Sequence, residues 1–203
     1  MKLIDDLMNV KVCEGGYLHL TEAAKYCDVS GDVVEMGVYM GDSINHLASL
    51  FPDDNIFGFD SFEGIPEDWV TSDKEVIIRG TFSNGGNIPF NNVPADNVTL
   101  IKEWFSDSFP EYKDKIGKIK FLHIDSDLYS SAVITFDTFN SHIQKGTIIA
   151  FDEFYPVPRE GKWYDNWKEG EYKACIEWME KYNREIVPIS RGWSEQCCFI
   201  VEK

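Results

Sequence analysis

Residues 32–43 read Asp-Val-Val-Glu-Met-Gly-Val-Tyr-Met-Gly-Asp-Ser. Asp32–Met36 is a short, mostly apolar run of the kind that forms a buried strand. Gly37 and Gly41, four apart, let the backbone turn sharply and let a ligand lie against it. From Ser43 to Phe51, the apolar residues Ile44, Leu47, Ala48 and Phe51 recur at helical spacing. The N–H groups at the start of that helix favour a carboxylate or phosphate placed over the turn. The E-x-G-x-x-x-G spacing is neither the dinucleotide fingerprint nor the P-loop, which needs Lys after its last Gly. A pyrophosphate ligand is therefore disfavoured. A plain strand-to-helix turn is the competing reading of this fragment.

Outward from this turn, strands and helices alternate. Further strands are predicted at Asn55–Phe59, Glu75–Ile78, Val98–Lys102, Ile119–Ile124, Thr147–Phe151, Glu185–Ile189 and Cys197–Val201. Helices are predicted over 2–9, 20–27, Ser130–Ile143 (capped by Gly146) and Gly170–Tyr182, the last with Tyr172, Cys175, Ile176, Met179 and Tyr182 inward. Alternation of this kind implies an α/β fold with a parallel sheet covered on both faces. The last two strands, joined by a turn at Gly192, are expected to pair as a hairpin at one edge. Residues 61–97 are irregular and rich in Gly, Asn and Pro, which in a compact domain marks a binding or mobile segment.

The 203 residues fit one domain, with residues 1–30 as an N-terminal helical segment. Acids outnumber bases 35 to 19, a net charge of −16. That balance argues against nucleic acid and against anionic membrane surfaces as partners. No apolar run is long enough to span a bilayer, and Asp5 and Asp6 stand where a signal peptide would be apolar. The five cysteines include no C-x-x-C, which fits free thiols in a reduced, cytoplasmic protein.

In such a sheet, ligands bind beyond the carboxyl ends of the strands. Glu35-Met36-Gly37 lies at the end of the first predicted core strand and Asp60-Ser61 at the end of the second. Glu103-Trp104-Phe105, Asp125-Ser126-Asp127 and Asp152-Glu153 close the next three. A carboxylate at every core strand end is not a random surface distribution. Asp60 suits the two hydroxyls of a ribose, because a carboxylate accepts two hydrogen bonds at once; a helix N-cap is the alternative. Trp104 and Phe105 are an adenine wall or core packing. Asp125, Asp127, Asp152 and Glu153 would converge and repel unless a cation neutralised them, and oxygen ligands select Mg²⁺, Mn²⁺ or Ca²⁺. His123 reads as a core histidine or as a base at the strand end. His19, His46 and His142 fall on helices or loops with no partner visible in the sequence.

GDVVEMGVYMGDS, FGFDSFEGIP, VTLIKEWFSDSFP, FLHIDSDLYSS and KGTIIAFDEF, in this order over about residues 31–180, resemble the macrocin-type O-methyltransferases. These are class I S-adenosylmethionine-dependent enzymes. The resemblance implies a Rossmann-like, mostly parallel seven-stranded sheet and Mg²⁺-dependent methylation of a hydroxyl, often on a natural-product sugar. It also implies that Glu35, Gly37 and Gly41 line the methionine end of the cofactor, with Tyr39 and Ser43 of the same turn. Asp60 and Ser61 would then sit at the ribose, and Trp104 and Phe105 near the adenine. Asp125, shared with the cofactor pocket, Asp152 and Glu153 would hold the metal. The chain departs from the family in having Glu103, where Gly often precedes the Trp-Phe pair, and Glu153, where the last metal position is often Asp.

The reading from residues and the resemblance agree on a ribose-bearing cofactor beside a divalent cation. The acceptor is a small-molecule hydroxyl, and Asp125, Asp127 or His123 takes its proton. The aromatic segment 154–169, with Trp163, Tyr164 and Trp167, is expected to be the lid and acceptor platform. A homo-oligomer is compatible with the family. Two rivals stand: a metal-dependent glycosyltransferase using the D-x-D of Asp125–Asp127, and a non-catalytic binding protein of methyltransferase fold.

Overall fold

The computed structural model describes residues 2–89, 95–156 and 164–203. The elements, in chain order, begin with α1 (Lys2–Leu7), β1 (Lys11–Cys13), α2 (Leu18–Ala24), β2 (Asp32–Met36), α3 (Asp42–Leu50) and β3 (Ile56–Asp60). A small antiparallel pair follows, β4 (Trp69–Ser72) and β5 (Glu75–Ile77). Then come β6 (Val98–Lys102), α4 (Phe105–Tyr112), β7 (Ile119–Ile124), α5 (Tyr129–Phe139) and β8 (Ile143–Phe151). A 3-10 turn at Trp167–Glu169 leads into α6 (Glu171–Tyr182), β9 (Ile186–Gly192) and β10 (Cys197–Val201).

The main sheet has eight strands in the order β1-β9-β10-β8-β7-β2-β3-β6. Only β10 runs antiparallel to its neighbours. The expected antiparallel pairing of the last two strands is present, but the sheet has eight strands rather than seven and the hairpin is not its edge. β10 lies inside the sheet between β8 and β9, and β1 pairs outside β9. β1 has three residues, two of them exposed, so it carries no apolar period to be read.

Successive residues of each strand face opposite layers. Val34, Leu122, Ile149 and Phe151 pack with Phe136, Phe139 and Trp178 on one side. Val33, Phe121, Ile148 and Ala150 pack with Leu20, Ile44 and Leu47 on the other. Both faces are thus covered, which is why the central strands read as continuous apolar runs.

α5 ends at Phe139, and Gly146 is not its cap. Gly146 lies within β8 at φ +90, where the pairing with β7 slips its register and the backbone passes against Val29. α6 buries Glu171, Ala174, Cys175 and Trp178, a face rotated from the predicted one. α4 was not expected; it is short and contains Pro110. All five cysteines are free. Among the described residues no helix is long and apolar enough to cross a membrane.

Candidate active site

The strand order reverses between β2 and β7, because the chain runs outward through β3 and β6 and then returns beside β2. A crevice opens at such a point, beyond the carboxyl ends of the strands. Backbone bonds continue the ladder past each strand and hold the next residues abreast: Gly37 N to Phe59 O (2.9 Å), Asp125 N to Met36 O (2.9 Å) and Asp152 N to Ile124 O (3.0 Å). Gly37 sits at φ +92, and a Cβ there would run into the Asp125 carbonyl. The two strand ends approach this closely only because residue 37 has no side chain.

Asp60 organises the first turn. Its Oδ2 accepts from the N–H groups of Val38 (2.8 Å) and Tyr39 (2.7 Å), and its Oδ1 from Phe62 N (2.6 Å). Three of its roughly four acceptor sites are therefore engaged by backbone. Tyr39 is at φ +47, and Asn84 Nδ2 donates to its carbonyl at 2.7 Å. Phe82 meets the Tyr39 ring edge-on at 5.9 Å. The irregular stretch after β3 thus folds back over the turn.

These walls enclose a cavity of about 540 Å³, a size usual for small-molecule sites. It is lined by Gly37, Tyr39, Asp60, Ser61, Trp104, Phe105, Asp125, Asp127, Asp152 and Glu153 among the residues singled out from the sequence. None of the other described candidates lines it. Gly41 caps α3 in the left-handed conformation, and Ser43 is buried in its first turn. Glu35 and His123 are buried beneath the strand ends. Tyr164 packs edge-on against Trp69 and is 1% exposed. Trp167 packs against Tyr155 and Tyr172. Trp163 lies outside the described residues.

Asp125, Asp152 and Glu153 each offer an oxygen within 4.8 Å of the others. Burial, then the neighbouring Asp152 charge, pushes the carboxyls of Asp125 and Glu153 well above the usual range. The same causes raise Asp127, at φ +63, to about 7. One Oε of Glu153 is buried with no hydrogen-bond partner among the described residues. Desolvated carboxylates crowded like this fit a hard divalent cation, which neutralises them and takes oxygen ligands.

Sequence reasoning missed three residues here. Glu171, fully buried at the start of α6, accepts from Ser126 N (3.4 Å) and Glu153 N (3.3 Å) and so ties together the two acid-bearing turns. An acid three, four and seven positions before Ala174, Cys175 and Trp178 was the available signal. Tyr17 is half-buried, and burial followed by the charges of Asp42 and Asp125 pushes its hydroxyl up to about 12. His19, on α2, is 3% exposed; burial and then the His123 ring hold it down to about 4. Nothing in the local sequence marks His19, which reaches the strand ends only through the packing of α2.

A doubly covered, mostly parallel sheet with a glycine turn at its switch point and an acidic cluster on the same rim is the Rossmann-like α/β architecture. Residues 17–178 match the profile of the macrocin-O-methyltransferase family (TylF). The chain belongs to that family and is a methyltransferase. It is similar in structure to the O-methyltransferase NovP, with a TM-score of 0.67 and 18% identity over 93% of this chain and 81% of that one. It is likewise similar to the calicheamicin methyltransferase CalS11, with a TM-score of 0.67 and 22% identity over 90% and 77% of the two chains. The mycinamycin-pathway methyltransferase MycE, solved with Mg and SAH, gives a TM-score of 0.51 and 14% identity over 92% of this chain and 46% of that one. No curated protein sequence matches the chain significantly.

Proposed function

We propose that this chain transfers the methyl group of S-adenosylmethionine to a hydroxyl of a sugar or glycosylated natural product, with a divalent cation held by Asp125, Asp152 and Glu153. The observation that carries this reading is that one cavity is walled by both halves of the chemistry. Gly37, Asp60, Trp104 and Phe105 line it together with Asp125, Asp127, Asp152 and Glu153. Family membership favours methyl transfer over the glycosyltransferase and non-catalytic readings. The structure of CalS11 described as a TDP-rhamnose 3'-O-methyltransferase supports a sugar acceptor.

In this reading the closely packed Gly37 turn seats the sulfonium end of the cofactor. Asp60 fixes that turn through Val38 N and Tyr39 N, and its remaining acceptor site meets a ribose hydroxyl. Trp104 and Phe105 cover the adenine. The cation, when bound, polarises the acceptor hydroxyl and lowers its pKa. Asp127, which lines the cavity, takes the proton, whereas His123 does not line it and is buried with Nδ1 committed to Glu35. Positioning of donor and acceptor supplies most of the rate gain.

The test is thermal denaturation with S-adenosylmethionine or S-adenosylhomocysteine, with and without Mg²⁺, against a uridine diphosphate sugar. A ligand at 100 times its Kd adds about 2.7 kcal/mol, or about 5–10 °C in Tm at this size. A rise with the adenosyl ligands is expected. A rise with the sugar nucleotide alone would overturn the reading.

A further inference from the structure

His19, His123 and Asp152 come from α2, β7 and the residue after β8, and each offers a ligand atom within 4.8 Å of the others. The two imidazoles are 3% and 1% exposed. The Nε2 of each is buried with no hydrogen-bond partner among the described residues. A polar atom sealed from water and left unpaired is unusual and calls for an occupant.

The other nitrogen of the His123 ring is held. His123 Nδ1 lies 2.8 Å from Glu35 Oε1, and Glu35 is fully buried. The His19 ring sits close to the Gly16 backbone, which favours its charged form. A carboxylate on Nδ1 fixes the His123 tautomer whose Nε2 carries a lone pair, which is the arrangement that orients metal-binding histidines. Ligand atoms about 2.1 Å from a tetrahedral Zn²⁺ stand about 3.4 Å apart, so a modest contraction closes this set around an ion.

We propose that His19, His123 and Asp152 form a binding site for a borderline transition-metal ion, Zn²⁺ or a close analogue, next to the all-oxygen site of Asp125, Asp152 and Glu153. Two imidazoles and one carboxylate favour such an ion over Mg²⁺, which takes oxygen ligands. Asp152 belongs to both sets and so links them. The ion pins α2 to the strand ends and fixes the orientation of Asp152. The proposal does not depend on methyl transfer, because it concerns metal binding alone.

The experiment uses the full chain stripped with a chelator, then titrated with Zn²⁺ in a large excess of Mg²⁺ against a chromophoric chelator, with Co²⁺ as a spectroscopic probe. Wild type is expected to bind one Zn²⁺ that Mg²⁺ does not displace. His19→Gln should weaken Zn²⁺ binding about 100-fold or more, while Asp125→Asn retains it. Imidazole ¹⁵N spectra of wild type need no variant: Zn²⁺ should move the Nε2 resonances of two of the four histidines. Equal Zn²⁺ affinity in wild type and folded His19→Gln, displacement by Mg²⁺, or unmoved histidine resonances would each overturn the proposal. S-adenosylhomocysteine binding, measured in parallel, reports separately on the functional reading.

Discussion

The buried carboxyl of Glu35 and the Nδ1 of His123 face each other across adjacent strands at 2.8 Å, with neither side chain open to solvent. Register places them directly opposite one another in the β2–β7 pair. Burial raises the Glu35 carboxyl and the His123 bond opposes that rise. Truncation at Glu35 leaves the histidine nitrogen unpaired in the core. Glu35→Ala should therefore destabilise the fold by about 3 kcal/mol, read from the urea midpoint at unchanged slope.

Gly37→Ala meets two obstacles, a left-handed backbone and the Asp125 carbonyl. Relief requires the ends of β2 and β7 to move apart, which distorts the cavity floor. The expected result is a stability loss of about 2 kcal/mol or more and adenosyl-ligand affinity reduced at least about tenfold, measured by denaturation and calorimetry.

Asp152→Asn removes a cation ligand but leaves the Gly37 turn and Asp60 untouched. Methyl transfer should be abolished, while S-adenosylhomocysteine still raises Tm nearly as in wild type. Normal turnover in this variant would remove Asp152 from the metal role.

The acidic cluster makes the cation-free protein sensitive to pH in an unusual direction. Burial raises Asp125, Asp127, Glu153 and Glu171 above their unfolded values, which lie near about 4. The native state then holds more protons than the unfolded one, so stability is full below about pH 4 from these groups and falls as pH rises through their folded values, about 7 for Asp127. Chelator-treated protein should lose Tm between pH 5 and pH 7.5, by a margin that millimolar Mg²⁺ reduces. A flat or rising Tm without Mg²⁺ would contradict this account.

Ser126 N and Glu153 N donate to different oxygens of Glu171, so Glu171→Gln, whose amide nitrogen cannot accept, keeps only one of the two bonds. The unpaired buried N–H should lower stability by about 1–3 kcal/mol, checked by denaturant midpoint against wild type.

Local pattern carried the central strands and the acids that end them. Asp32–Met36 and Ile119–Ile124 fold over the predicted ranges, because a strand buried on both faces needs an unbroken apolar run; Val98–Lys102 also forms where predicted, as the partly exposed edge strand. The glycine turn after β2 was equally legible, since only residue 37 without a side chain lets two strand ends meet. The order of the strands was not: β1 is too short and exposed to carry a period, and β10 enters the sheet through pairing with β8 and β9. Nor did the sequence mark His19 or the partner of His123. Those contacts join residues 104 and 88 positions apart, and they exist only once α2 packs on the sheet and β2 lies beside β7. The sequence by itself determined which carboxylates stand at the strand ends; tertiary packing decided which buried nitrogens face them, because desolvation and convergence are properties of neighbours in space.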